Sequence, residues 1–407
     1  MAIMFALTTG LTQPAQAQTF TVIHTFTGGA DGASPVAGLT MDTAGNLYGT
    51  ASTSANGNCT DGGCGTVFKL KHSGSSWVLA PLYGFAGGND GAYPYGIVAI
   101  AGDGTLYGTT SGGGNGYGTV FHLTPAPTAP KTALAPWNET VLYRFTGGSD
   151  GAEPSGDLTF DQAGSIYGSA FENNNSYGAI YELTRSGGGW TQAVLYSPSN
   201  NDPEGINPYS GVIFDSSGNL YGTFVDGGAY NAGTVFQLSH SGSGWTQHTL
   251  YTFTGGSDGS RPYGGLIMDS SGNLYGTTST GGTGGGGTVF ELTPSSGGWT
   301  FKTLYSFSGG FDGGSWVKLA MDASENLYGT TNADGAHGKG SVFKLTPSGA
   351  GWTYASLYDF TGGSDGWAPL SSLVFDANGN LYGTTYAGGG YLSQCTNGCG
   401  VVFKITP

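Results

Sequence analysis

Apolar residues in this chain come in short runs separated by glycine, serine and asparagine, and the runs recur. One full period extends from Gly265 to Phe307. Gly265 to Asp269 (Gly-Leu-Ile-Met-Asp) predicts a first strand, and Ser-Ser-Gly-Asn predicts a tight hairpin in which Gly272 supplies a positive φ. Leu274 to Thr278 predicts a second strand, followed by a glycine-rich loop at 281–287. Thr288 to Thr293 (Thr-Val-Phe-Glu-Leu-Thr) predicts a third strand. Pro-Ser-Ser-Gly-Gly then turns the chain into a fourth, Trp299 to Phe307.

The period is found by its second strand. Leu-Tyr-Gly-Thr or a close variant occurs seven times, with its tyrosine at Tyr48, Tyr107, Tyr167, Tyr221, Tyr275, Tyr328 and Tyr382. Four strands in about fifty residues is the size of a propeller blade. A solenoid is the rival, but it needs a capping repeat at each end. Here the last unit stops after its third strand, Val401 to Ile405. The segment Thr19 to Phe26 is a fourth strand without a unit, and it leads into the same Phe-Thr-Gly-Gly-x-Asp-Gly phrase that follows fourth strands elsewhere. The first strand is therefore expected to complete the last blade and remove the open edges. The sequence predicts an all-β, seven-bladed β-propeller over residues 18–407, with four antiparallel strands per blade.

The phrases Asn-Leu-Tyr-Gly-Thr-Thr, then Gly-Gly, then Gly-Thr-Val-Phe-x-Leu-Thr-Pro resemble the GloVer tandem repeat of bacterial exported and surface proteins. The resemblance covers essentially all of residues 19–407. It implies propeller-like repeats and export, and it brings no assigned catalytic residues. It also implies varied C-terminal surface anchors, which the end at Thr406-Pro407 is not expected to supply.

Composition narrows the reading. Glycine occurs 79 times and only 9% of residues are charged, which by itself would fit a disordered chain. The 13% aromatic content, placed at fixed points of the repeat, argues for strands instead. The net charge of −15, with only 11 Lys and Arg, disfavours nucleic acid and anionic lipid as partners. Met1 to Leu11 is apolar and Ala15-Gln16-Ala17 fits a cleavage site, so residues 1–17 are expected to be a signal peptide. No later stretch has the length of a membrane span. The expected location is secreted, periplasmic or cell-surface, as a monomer. In such a compartment Cys59 with Cys64 and Cys395 with Cys399 are expected to form two local disulfides; a four-thiolate zinc site would use the same two pairs.

Repeated polar residues read first as structure. Asp42, Asp161, Asp215, Asp269, Asp322 and Asp376 open the hairpin between strands one and two, with Ala101 at that place in blade two. Asp before x-x-Gly-Asn is turn chemistry, without the alternating carboxylates of a calcium loop. Trp77, Trp137, Trp190, Trp245, Trp299 and Trp352 begin fourth strands and are expected to pack on the periphery. The six histidines fall at unrelated repeat positions, which points to neither a triad nor a metal cage. No metal and no cofactor are expected.

Local function is expected where the repeat is broken. The loop into each first strand reads Asp-Gly-x-x-Pro-x and should open at the mouth of the central channel. Its last residue varies: Val36, Tyr95, Ser155, Tyr209, Tyr263, Trp316 and Leu370. Two residues on, Ile97, Asp157, Lys318 and Ser372 stand where other blades have glycine; Glu153 and Arg261 precede the proline. Tyr95, Tyr209, Tyr263 and Trp316, with Arg261 and Lys318, are the expected ligand-binding residues. Aromatic rings with a few charges suit a saccharide, whose faces stack while its hydroxyls form hydrogen bonds; packing between blades is the competing reading for the aromatics. The leading expectation is a non-catalytic extracellular binding or adhesion propeller for a polysaccharide or cell-surface glycan. The alternatives are a carbohydrate-active hydrolase or lyase using Glu153 and Asp157 as acid and base, and a purely structural surface protein.

Overall fold

The computed structural model describes residues 18–53, 59, 63–74, 76–126, 137–171, 177–200, 202–242, 244–308, 317–349, 351–391 and 393–406. The expected signal peptide at 1–17 lies outside the described residues. Seven four-stranded antiparallel sheets surround a central channel, one per copy of Leu-Tyr-Gly-Thr. Blades are numbered here by the order of those copies.

Ring closure is as the sequence predicts. Strand β1 (Thr19–Thr25) pairs antiparallel with β28 (Val401–Thr406), from Thr19 opposite Thr406 to Thr25 opposite Val401. β28 continues the sheet through β27 (Leu381–Thr385) to β26 (Val374–Phe375). Chemistry at the join follows the repeat too. In blades one to four and six a tyrosine near the end of the fourth strand holds the aspartate of the following turn: Tyr83 with Asp90, Tyr251 with Asp258 and Tyr358 with Asp365 at 2.9–3.0 Å are three cases. In the closing strand of blade seven His24 stands at that place, with Nε2 3.2 Å from Asp31 Oδ2.

One element is shorter than predicted. The innermost strand of each blade pairs over only two residues, such as Ile267–Met268. The reason is a hydrogen bond from the neighbouring blade. The threonine of Leu-Tyr-Gly-Thr donates its hydroxyl to a carbonyl in the first segment of the next blade. Thr223 reaches Pro262 at 2.9 Å, Thr277 reaches Val317 at 3.2 Å, and Thr330 reaches Ser371 at 3.1 Å. Ser169 does the same to Ser210, and Thr384 closes the circle onto Ala37. The segment is thereby drawn towards its neighbour and lines the channel instead of extending its own sheet.

Each blade has a core of the same pieces. The leucine of Leu-Tyr-Gly-Thr and the valine, phenylalanine and leucine of the third strand are fully buried in most blades. Burying such a side chain stabilises the fold by about 1.5–3 kcal/mol. The glycine between tyrosine and threonine is required by this packing, since a Cβ on Gly276 would lie 2.6 Å from the Phe290 ring.

Neighbouring blades are hooked together by strained residues. Ser34, Tyr93, Glu153, Asn207, Arg261 and Ala368, each just before the repeat proline, have φ between 48° and 65°. This region is costly for a side-chain-bearing residue, more so before proline. The Arg261 amide donates to Ala232 of the preceding blade at 2.9 Å, and its carbonyl accepts from Ser279 of its own blade at 3.1 Å. The same two bonds recur at the other five positions. Strain repeated around the ring belongs to the architecture and not to a local site.

Candidate functional site

The aspartates of the first hairpin are turn residues in full. Asp269 Oδ1 accepts from the amides of Ser271 and Asn273, and Oδ2 accepts from the Asn273 amide side chain and the Tyr275 hydroxyl. Asp42, Asp215, Asp322 and Asp376 repeat this pattern. Burial alone would raise their pKa values, but the hydrogen bonds prevail and hold these four below the usual carboxylate range. No group of three or more His, Cys, Asp or Glu able to hold a metal occurs among the described residues. The tryptophans also pack as expected: Trp245 meets Tyr167, Trp299 meets Tyr221 and Trp352 meets Tyr275, each across a blade boundary. Both cysteine pairs are disulfides, Cys59–Cys64 and Cys395–Cys399, and no described cysteine is free.

The channel mouth holds a cavity of about 310 Å³. Among the described residues, two tiers of equivalent positions build it. The upper tier has Val36, Tyr95, Ser155, Tyr209, Tyr263 and Leu370 in the lining. Its seventh member, Trp316, lies outside the described residues. The lower tier is Gly38, Ile97, Asp157, Gly211, Gly265, Lys318 and Ser372, and all seven line the cavity. The rim tyrosines differ from those of the repeat in their neighbours, which include one another. Tyr209 packs edge-on against Tyr263 at 5.3 Å between centroids and against Phe171 at 5.4 Å. Burial, then the nearby Tyr95, Tyr263 and Glu153, push the Tyr209 hydroxyl up to about 12.

The floor carries the charge. Lys318 of blade six reaches across Gly265 of blade five, where a Cβ would sit 3.5 Å from Lys318 Cδ. Its Nζ ends 4.0 Å from Asp157 Oδ2 of blade three. Asp157 Oδ1 meanwhile accepts from the Ile97 amide at 3.2 Å. Gly211 is obligatory here, since any Cβ would collide with the Asp157 carbonyl oxygen.

The structure thus brings together Tyr95, Tyr209, Tyr263, Asp157 and Lys318. It does not bring Glu153 or Arg261 into the cavity lining. Both are exposed hook residues before proline, and Arg261 Nε lies 3.6 Å from Asp226 Oδ1. Sequence reasoning missed the Lys318–Asp157 contact, which joins blades six and three. It also missed Phe171, at a position that is Ser52, Ser111, Val225, Ser279, Asn332 and Tyr386 in the other blades and so gives no repeat signal.

A second cavity, about 660 Å³, lies between blades two and three. His122, Arg185 and Trp190 line it beside the hairpin glycines 187–189. His122 stacks flat on Tyr107 at 4.2 Å, in the blade where Ala101 replaces the hairpin aspartate.

A model of the Gloeobacter/Verrucomicrobia repeat matches residues 10–140, 133–321 and 300–407. The chain belongs to this family. No curated protein matches it in sequence. Among solved structures, it is similar to a candidate oxidoreductase (glucose dehydrogenase) of Thermus thermophilus, at 15% identity and TM-score 0.45 over 77% of this chain and 96% of that one. A candidate gluconolactonase aligns at 14% identity and TM-score 0.40, covering 70% and 83%. A Dyadobacter fermentans protein of unknown function aligns at 11% identity and TM-score 0.44, covering 84% and 98%. At these values the likeness says nothing about activity. No helix among the described residues is long and apolar enough to cross a membrane.

Proposed function

We propose that this repeat protein is an exported, non-catalytic binding propeller that holds a glycan at the mouth of its channel. One observation carries the reading. Tyrosines from blades two, four and five wall one cavity whose floor holds a carboxylate and an ammonium group. These are the parts a saccharide needs: aromatic faces for its C–H surfaces and charged hydrogen-bonding groups for its hydroxyls. All of them stand at places where the repeat varies, whereas the repeated tyrosines and tryptophans are spent on packing. Two disulfides and the apolar start of the chain support export.

The hydrolytic alternative needs two carboxyl groups facing one bond. Asp157 is the one carboxylate in the described lining, and Glu153 is outside it. A glycan array probed with residues 18–407, run beside an assay for released sugar, tests the proposal. Binding without release is expected. Release of sugar from any array member would favour the enzyme, and absence of binding across the array would favour a purely structural role.

A further inference from the structure

Resting on the reading of the channel mouth as a glycan site, we infer that the site takes the uncharged terminal sugar of a chain, end-on, and reads an adjacent pair of its hydroxyls through Asp157 and Lys318. Three observations lead there. The first is charge. Lys318 is the one cation in the described lining, and Asp157 already stands 4.0 Å from it. The cavity is therefore neutral overall inside a protein of net charge −15. An anionic sugar would have to displace Asp157 from Lys318 and leave that carboxylate beside its own, against the field of the whole molecule.

The second is the spacing of the two floor groups. At 4.0 Å the ammonium and the carboxylate are too far apart to saturate each other with a direct hydrogen bond. Side by side they offer one donor and one acceptor. Neighbouring hydroxyls on a sugar ring match this couple, one accepting from Lys318 Nζ and the other donating to Asp157 Oδ2. Asp157 Oδ1 is held by the Ile97 amide, which leaves Oδ2 as the acceptor beside Lys318.

The third is shape. The Lys318 side chain lies across the channel from blade six towards blade three and floors the cavity. A polysaccharide cannot thread through such a floor. The volume, about 310 Å³, is at the low end of ligand cavities, roughly 300–1,000 Å³. It accommodates the end of a chain and not an extended segment.

The test uses the mature protein and three kinds of probe in isothermal titration: methyl glycosides of glucose, galactose and mannose; the matching uronic acids; and linear oligosaccharides of the same sugars with and without a blocking group on the terminal ring. At least one neutral glycoside is expected to bind more tightly than its uronate, and blocking the terminal ring of its oligomer should abolish binding. Asp157→Asn keeps an acceptor for Ile97, and Lys318→Met keeps the stem over Gly265. Each should weaken binding by about tenfold or more, as expected for loss of a charged hydrogen-bond partner. The deoxy analogue lacking the hydroxyl read by Asp157 should bind wild type and Asp157→Asn equally weakly. Tighter binding of uronates, undiminished binding of end-blocked chains, or indifference to both substitutions would overturn this inference while leaving the glycan site standing. If none of these probes binds and the array is also blank, the glycan reading itself fails.

Discussion

Blades five to seven and blades two to four are joined differently at their outer edges, although the backbone register is the same. The position concerned lies on the fourth strand, opposite the last apolar residue of the third. In blades five, six and seven it is Phe301, Tyr354 and Phe20, opposite Leu292, Leu345 and Ile405. Each ring stacks on a tyrosine of the preceding blade: Tyr251 at 4.1 Å, Tyr305 at 4.5 Å and Tyr358 at 3.7 Å. In blades two, three and four the same position is Glu139, Gln192 and Gln247, opposite Leu123, Leu183 and Leu238. Each of these has a buried polar atom without a hydrogen-bond partner among the described residues. Blade three adds another, the Tyr181 hydroxyl, where the other blades bury phenylalanine. At this position one side of the ring is thus closed by aromatic pairs and the other carries unmet polar groups. That second side also carries the broken hairpin at Ala101 and, at the channel mouth, Ser155 and Asp157.

The largest expected effect comes from removing the closure. Deleting residues 19–26 takes away the whole outer strand of blade seven, with the Phe20 stack, and should abolish cooperative melting and cause aggregation. A deletion variant that melts like the parent would break the comparison at its base. Next, Tyr354→Ala should cost about 2–4 kcal/mol in denaturant unfolding, whereas Gln192→Ala should stay within about 1 kcal/mol. The converse sharpens the point: Gln192→Phe should gain about 0.5–1.5 kcal/mol by transplanting the stacked pair to the polar arc. Tyr181→Phe removes a buried hydroxyl without a partner and should stabilise by roughly 1–2 kcal/mol, read from the urea midpoint.

A smaller effect is a pH dependence that sets Glu139 of the polar arc against the turn aspartates. Burial, and then the charge of Asp90, raise the Glu139 carboxyl from 4.5 to about 7. A raised folded pKa means that the native state holds the proton more tightly. The corresponding stability is full below about pH 4.5 and is lost as the pH rises through 7. The turn aspartates work in the opposite sense. Their folded values lie below 3.8, so their contribution is full above that and is lost as the pH falls further. His122, whose half-buried imidazole is held below its usual value of 6.5, loses its contribution as the pH falls below that value and so opposes Glu139 over part of this window. Glu139→Gln should flatten the decline towards neutral pH and leave the acid limb alone. A Glu139→Gln profile that runs parallel to the wild type from pH 5 to 7 would contradict the assignment.

The architecture was legible because each structural task recurs around the ring: hairpin aspartate, buried leucine, strand-three phenylalanine, peripheral tryptophan. Even the closing strand showed itself, since Thr19 to Phe26 ends in the phrase that follows fourth strands elsewhere. The short inner strand was not legible, because the threonine bonds that shorten it run between units, and the repeat reads as though each unit were self-contained. For the site, the positions were visible as breaks in the pattern, and Tyr95, Tyr209, Tyr263, Asp157 and Lys318 do share one cavity. Contacts across the ring were not visible. Lys318 meets Asp157 only because a closed circle folds position 318 over towards position 157. Glu153 and Arg261 also serve as backbone hooks before proline, a task the sequence did not show, and both are exposed and absent from the cavity lining.

The central claim is that the departures gathered at the channel mouth serve a ligand and not the fold. Tyr95→Ala tests it most directly, titrated calorimetrically with the tightest glycan from the array and melted in parallel. The account predicts a loss of more than about 1 kcal/mol of binding, as for a buried aromatic anchor, with little change in melting temperature. Unchanged affinity together with a fall of several degrees in the melting temperature would make Tyr95 a packing residue and would contradict it.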